Sequence, residues 1–336
     1  MRTDWMNISI NTPTITNDFK QLSDATVLSV LDGDANSYGL LEIAGIDSAK
    51  FLQGQITCNM QDITPQQSRL GAHCTHKGRM VASFRLLQTS ENSYLFCLPK
   101  QTLPALQKSL GKYIVFSKAK LRDASDDYLQ LGISGLKAAQ KIIAVFGKAP
   151  TSAQEQHQHE NGIVICIDKN SSRFLCIIPA AQAKTVFDAL STDTTITDCH
   201  YWHWLNIRDG LGDIRAETIE EFIPQMLNLQ LTDGISFTKG CYTGQEIVAR
   251  MQYRGTLKKS AYRIAGKGVS PKPATPLFQE NASQASGQIV IAEAVGDDQW
   301  EALAVIQHDA LTHPLHTTNS ACITLLTLPY IDQDPQ

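Results

Sequence analysis

Residues 79–121 read RMVASFRLLQTSENSYLFCLPKQTLPALQKSLGKYIVFSKAKL and contain the patterns of a hairpin, a helix and a strand. RMVASFRLLQ and SYLFCLP are short apolar runs separated by polar residues, as in two strands joined by a turn. TLPALQKSLGKY has apolar residues at helical spacing, and IVFSKAKL returns to a strand pattern. Paired strands that alternate with helices favour antiparallel sheets with helices on one face, so this stretch predicts an α+β fold.

The same kind of pattern lies on both sides of this stretch. Residues 25–46 predict two strands, and Asp47 stands where the N-cap of a following helix is expected. Residues 130–190 predict a strand, a helix, a polar loop over residues 152–160, two strands and a second helix. The α+β pattern therefore extends over most of the chain.

The pattern changes after residue 255. A Pro/Gly-rich segment is followed by strand-like runs such as SGQIVIAEAVG and WEALAVIQ, and no convincing helical pattern occurs as far as residue 330. We therefore predict two domains, an α+β body over residues 20–255 and a C-terminal β-barrel over residues 256–332.

The composition is that of an ordinary globular protein, with 336 residues, 43% hydrophobic and 18% charged. The net charge of −4 gives no general attraction to phosphates, so strong direct binding to nucleic acid is not expected. The apolar runs are shorter than the roughly 18 residues of a membrane-spanning helix. Residues 1–20 lack the apolar core of a secretory signal. We therefore expect a cytoplasmic protein without a membrane partner.

The eight cysteines are scattered, without a CxxC pair. This spacing does not predict a zinc or iron-sulfur site held by this chain alone. Two short clusters carry metal-ligand atoms, H-C-x-H at residues 73–76 and C-H-x-x-H at residues 199–203. Each cluster still needs a further group from the protein or from water. We therefore assign no metal site from the sequence.

The densest group of chemically active residues is FTKGCYTGQEIVARMQYRG at residues 237–255. Thr243 followed by Glu246 is the pattern of a capping box, which predicts a helix start. Cys241 then lies just ahead of the helix and two residues after Lys239, and both features favour the thiolate over the thiol. A structural turn with a half-buried thiol accounts for the same residues equally well, so spacing alone leaves both interpretations open.

This segment also carries a family resemblance. KGCYTGQE, followed by VAR and YRG, resembles the hallmark of the YgfZ proteins, the folate-binding relatives of the glycine-cleavage T-protein. Further blocks occur in the family's order: FLQGQIT at 51–57, HCTHKGRM at 73–80, KYIVFSK at 112–118 and FIPQMLNLQLTDGISF at 222–237. The resemblance spans roughly residues 38–255, far more than one short motif.

The resemblance implies a T-protein-like (GcvT-like) architecture, with interleaved α+β subdomains and a C-terminal β-barrel around a central channel that admits tetrahydrofolate. It implies a folate-binding accessory protein that supports the assembly or repair of iron-sulfur enzymes and thereby tRNA modification. The expected partners are a reduced folate and iron-sulfur client enzymes. The alternative is an aminomethyltransferase, a tetrahydrofolate-dependent one-carbon transferase. T-proteins lack KGCYTGQE, which favours the accessory role, but whether this chain turns over a substrate stays open.

By position, the resemblance makes Lys239 and Cys241 the candidate catalytic residues. It assigns contact with the folate to Tyr38 and Trp202. Tyr38 stands where close relatives have tryptophan, a difference that keeps an aromatic face for stacking. Trp202 is placed by the LNI at residues 205–207.

One departure from the family concerns the segment after this LNI. Family members usually have a Glu before the Gly of an LNIEAG-like segment, whereas this chain reads NIRDG, with Arg208 at the acidic position and Asp209 next to it. A carboxylate that would accept hydrogen bonds from the donor edge of a pterin is therefore displaced or missing.

Overall fold

The computed structural model describes residues 18–33, 35–280, 282–318 and 322–330. These residues form a mixed α+β fold with three sheets, so the predicted fold class is confirmed. The argument against a secretory signal rests mostly on residues 1–17, which lie outside the described residues. Within the described ranges, no helix is long and apolar enough to cross a membrane.

The strands and helices have the following bounds. In chain order the strands are β1 (Val27–Val30), β2 (Tyr38–Ala44), β3 (Arg69–Cys74), β4 (Met80–Ser90), β5 (Ser93–Pro99), β6 (Lys120–Asp123), β7 (Tyr128–Ser134), β8 (Gln156–His159), β9 (Gly162–Cys166), β10 (Arg173–Pro179), β11 (Thr195–Thr197), β12 (Lys259–Lys267), β13 (Pro276–Gln279), β14 (Ala285–Gly296), β15 (Gln299–Gln307), β16 (Leu315–His316) and β17 (Ile323–Leu326). The α-helices are α1 (Ser48–Gln53), α2 (Leu103–Gly111), α3 (Ala138–Phe146), α4 (Ala183–Ser191), α5 (Cys199–Asp209) and α6 (Gln245–Tyr253).

The first two sheets are interleaved along the chain. One sheet has the strand order β11-β1-β7-β10-β9-β8 and the other has the order β3-β4-β5-β2-β6. Strand β1 pairs with β7 and β11, although the five strands that follow β1 in the chain form the other sheet. The pairing of β1 with β11 is parallel, and the other pairings in these two sheets are antiparallel. The interleaved architecture implied by the resemblance is confirmed.

The third sheet has the order β16-β13-β14-β15-β12-β17. The sequence predicts a barrel here, but in the described residues the edge strands β16 and β17 do not pair, so the sheet is a curled half-barrel. These edge strands have only two and four residues, too short to close the sheet by a long ladder. Strand β12 begins at Lys259, and the domain boundaries themselves stay a prediction.

Helix α5 lies at the centre of the molecule. It packs on the face of the first sheet opposite α3 and α4, and it contacts β14 of the half-barrel. Eight of its eleven residues are buried, polar ones included, so apolar residues do not recur on one face at helical spacing. For this reason the pattern of apolar residues does not predict it.

Two other local predictions differ from the structure. IVFSKAKL is a strand only at β6, and residues 114–116 form a 3-10 turn whose Val115 and Phe116 side chains are exposed. The predicted polar loop at residues 152–160 contains strand β8, which lies at the edge of its sheet. An edge strand tolerates a polar sequence because one of its sides faces solvent.

Candidate functional site

A cavity of about 70 Å³ lies where the two interleaved sheets meet helix α5. Tyr38, the first residue of β2, and Trp202, in the middle of α5, both line it. These are the two aromatic residues to which the resemblance assigns folate contact. The structure therefore brings them to one cavity although 164 positions separate them in the sequence.

The polar end of this cavity is built around the Tyr38 hydroxyl. This hydroxyl donates to Asp213 Oδ2 at 2.7 Å and accepts from Asn206 Nδ2 at 3.0 Å. Burial, together with the negative charge of Asp213, raises the pKa of Tyr38, so the phenol stays protonated. Asp213 and Asn206 also line the cavity. A carboxylate is thus present here, supplied by Asp213 rather than by position 208.

Trp202 is buried against β7 and contacts the guanidinium of Arg173. An added Cβ at Gly132 would come within 2.3 Å of indole Cε3, so only glycine lets the ring lie against β7. The Arg173 guanidinium carbon lies 4.3 Å from the indole centroid. Arg173 pairs with Asp209 and donates to Asn206 Oδ1 at 2.9 Å. A ligand ring can therefore stack in the place of the guanidinium only after Arg173 moves.

A wider cleft of about 590 Å³ adjoins the cavity, and the two share Leu70, Arg85, Ile167, Leu211 and Thr232. Burial lowers the pKa of Arg85 to about 10. Basic side chains, among them Lys169 and Arg208, also line the cleft. Small-molecule sites usually enclose about 300–1,000 Å³, so the cleft has the size of a ligand site and the cavity alone does not.

The candidate catalytic residues lie elsewhere. Lys239 Nζ donates to the backbone carbonyls of Ile56 and Cys58, each at 2.7 Å, and Cys241 is exposed. Neither lysine nor thiol is among the described residues that line the cavity or the cleft. The structure therefore does not bring Lys239 and Cys241 together with Tyr38.

The predicted capping box at Thr243 does not form. Helix α6 begins at Gln245 with Gly244 as N-cap, at φ 85°, and an added Cβ at Gly244 would come within 2.5 Å of the Thr75 carbonyl oxygen. The turn at residues 75–78 passes so close to position 244 that a Ser or Thr side chain there would clash. Glycine also adopts the left-handed backbone conformation of this position without strain. Thr243 N–H instead donates to the Gly54 carbonyl at 3.1 Å.

Burial of Lys239 predicts a pH-dependent stability. Burial lowers its pKa from 10.5 to about 8. Between these values the unfolded chain holds the proton and the folded chain has lost it, so the stabilisation by Lys239 increases with pH across this window. We expect Lys239→Met to lower the free energy of unfolding more at about pH 9.5 than at about pH 7, as measured by urea denaturation. An equal loss at both values would contradict a buried amine with a lowered pKa.

Comparison with known proteins agrees with this architecture. Residues 15–163 match the family model of the GCVT N-terminal domain. The aminomethyltransferase T of the glycine cleavage system from Bartonella henselae is 12% identical, with a TM-score of 0.68 over 94% of this chain and 89% of that one. Heterotetrameric sarcosine oxidase from Corynebacterium sp. U-96 is 13% identical, with a TM-score of 0.35 over 51% of this chain and 86% of that one. Residues 15–163 are therefore similar in sequence to the GCVT N-terminal domain, and the described chain shares its fold with aminomethyltransferase T.

Proposed function

We propose that this protein binds a reduced folate in the cavity and the adjoining cleft. The observation that carries the proposal is that Tyr38 and Trp202 line one cavity. Asp213 and Asn206 stand beside them, and a carboxylate with an amide suits the donor edge of a pterin. The basic residues of the cleft suit the carboxylates of a glutamyl tail.

The volumes indicate how the ligand enters. The cavity of about 70 Å³ is too small for a bicyclic ring, whereas the cleft of about 590 Å³ has room for the rest of the ligand. The ring enters when the cavity widens, and the guanidinium of Arg173 over Trp202 is the group whose movement exposes an aromatic face. Binding should therefore change the fluorescence of Trp202.

The folate-binding protein acts, in our proposal, as an accessory protein that supports assembly or repair of iron-sulfur enzymes and thereby tRNA modification. The KGCYTGQE segment supports this assignment by resemblance to the YgfZ proteins. The exposure of Cys241 supports it structurally, because a thiol at the surface can meet a partner protein. In this role Lys239 holds the backbone under the turn, and Cys241 is the reacting or cluster-binding group.

Two segments of the chain carry three exposed apolar side chains, which we call the apolar patch. It consists of Ile46, Val115 and Phe116, which are 71%, 70% and 95% exposed. The two segments that carry it are joined, because Lys118 N–H donates to Asp47 Oδ2 at 2.7 Å. Exposed apolar groups of this kind favour contact with another protein.

Helix α1 connects the patch with the cysteine turn. The helix has six residues and is therefore about 9 Å long. Ile46 precedes its first turn, and Gly54 at its other end accepts the hydrogen bond from Thr243 N–H. We therefore propose that the partner protein contacts the patch as well as the cysteine turn.

The alternative function is one-carbon transfer of the aminomethyltransferase type. The fold shared with aminomethyltransferase T over 94% of the chain favours it. An assay with a carrier protein whose dihydrolipoyl group bears an aminomethyl group, together with tetrahydrofolate and this protein, separates the two functions. We expect no release of ammonia, and robust release would establish the aminomethyltransferase instead.

The accessory role is tested in cells that lack the gene. Cys241→Ala should fail to restore the activity of iron-sulfur enzymes, while the protein stays folded and keeps its folate affinity, since an exposed thiol adds little packing. Cys322→Ala is the matched control, because Cys322 is also exposed, and it should complement fully. Full complementation by Cys241→Ala would show that the accessory role does not require this cysteine.

A further inference from the structure

Helix α5 and strand β14 bring two histidines and a glutamate together. His200 Nδ1 lies 2.8 Å from Glu293 Oε2, and His203 Nδ1 lies 2.9 Å from Glu293 Oε1. The histidines share one face of α5 because they are three residues apart. The ligand atoms of all three side chains lie within 4.8 Å of one another.

We propose that His200, His203 and Glu293 bind one divalent transition-metal ion of the zinc class. Two imidazoles and one carboxylate are a ligand set of zinc sites that keep a fourth position for water. Tetrahedral ligands about 2.0–2.2 Å from zinc are about 3.3 Å apart, so the two N···O separations of 2.8 and 2.9 Å have to lengthen by about 0.5 Å. Small side-chain rotations provide this adjustment.

The charges of the three side chains suit a cation. Each imidazole offers a ring nitrogen as a ligand, and the Glu293 carboxylate offers an anionic oxygen. The buried His203 Nε2 finds no partner among the described residues. Metal binding at Nδ1 transfers a proton to this nitrogen and breaks no existing hydrogen bond there.

The exposure of the three side chains provides a route for the ion. The side chain of His200 is 39% exposed, whereas those of His203 and Glu293 are 2% and 11% exposed. The site is therefore open on the His200 side, where water can occupy the fourth position, and closed on the inner side.

Of the two histidine clusters in the sequence, only C-H-x-x-H belongs to a group of three possible metal ligands among the described residues. In the H-C-x-H cluster, His73 is buried, with its ring nitrogens 2.8 Å from the Gln55 carbonyl and from Ser109 Oγ, and His76 is exposed. In the C-H-x-x-H cluster, the missing ligand is supplied by Glu293, 90 positions beyond His203. Sequence spacing alone could not reveal this third ligand.

An ion bound to His200, His203 and Glu293 would restrict the movement of helix α5, which carries residues of the cavity wall. The His203 ring centroid lies 5.6 Å from that of Tyr38, and the same helix carries Trp202 and Asn206. Metal bonds between α5 and β14 would fix this helix against the half-barrel. The site is distinct from the folate site and does not depend on it.

The test uses the purified full-length protein, stripped with a chelator and then dialysed against Zn²⁺ or Co²⁺. We expect one bound ion per chain, visible d–d absorption of bound Co²⁺, and a rise in Tm on addition of Zn²⁺. Glu293→Gln and His200→Ala should each weaken binding by more than about a hundredfold, beyond the 10–100-fold cost of losing a mere supporting partner. Thermal unfolding in chelator shows that the variants are folded, and the exposure of His200 makes His200→Ala the safer of the two.

The controls are His76→Ala, from the other histidine cluster, and Cys241→Ala. Both should bind the ion like the wild-type protein. The proposal is overturned if the wild-type protein retains no stoichiometric ion, if Glu293→Gln and His200→Ala bind as tightly as wild type, or if Cys241→Ala abolishes binding.

Discussion

Trp202→Ala is expected to lower the free energy of unfolding by about 3–5 kcal/mol, the usual cost of removing a large buried aromatic side chain. Trp202 is only 4% exposed, and it packs against Gly132 and the guanidinium of Arg173. Its removal leaves a cavity on β7 and removes the cation–π contact with Arg173. Urea denaturation of wild type and variant measures the difference. A loss below about 1 kcal/mol would contradict the enclosed position of the indole.

The size of this effect determines how the ligand contact is tested. A binding defect in Trp202→Ala would combine lost contact with lost stability. Trp202→Phe keeps an aromatic ring and most of the packing, so it is the variant for folate titration. An aromatic contact contributes about 0.5–1.5 kcal/mol to the binding free energy in addition to the effect of the buried apolar area. A weakened contact should therefore lower the folate affinity by about two- to tenfold. Wild-type affinity in Trp202→Phe would show that the ligand does not use the part of the indole that phenylalanine lacks.

Gly132→Ala and Gly266→Ala form a matched pair that separates stability from ligand binding. The added methyl carbon would come within 2.3 Å of Trp202 in the first variant and within 2.2 Å of Trp300 in the second. Each variant should lose about 1–3 kcal/mol of stability through overpacking. Only Gly132→Ala should also weaken folate binding, because it displaces Trp202 from the cavity wall, whereas Trp300 lies in the half-barrel.

Equilibrium unfolding and folate titration of both variants, under conditions where each is fully folded, measure these effects. Equal folate affinity in the two variants would show that the position of Trp202 does not control the site.

The parts of the fold that follow from the sequence are those with local patterns. Strands β4 and β5 follow from two apolar runs around a turn, and α2 follows from its apolar period. Helix α5 could not be predicted in this way. Most of its residues are buried, so its apolar residues do not recur at helical spacing. Strand β8 could not be predicted either, because its edge position permits polar residues.

The candidate site depends on contacts between distant parts of the chain. Resemblance indicated Tyr38 and Trp202, but the partner of the Tyr38 hydroxyl is Asp213, 175 positions away. Arg173 on β10 contacts Trp202 on α5, and Glu293 on β14 of the half-barrel contacts His203. No spacing rule connects such residues, because the sheets bring them together only when the chain has folded.

The central claim is that the cavity beside Tyr38 and Trp202 is a folate site. The most direct measurement is a calorimetric titration of the purified protein with tetrahydrofolate, with Asp213→Asn and Trp202→Phe titrated in parallel. We predict saturable binding of one folate per chain, weakened in both variants while Cys241→Ala binds normally. Absence of saturable binding, or binding that neither cavity variant alters, would contradict the account.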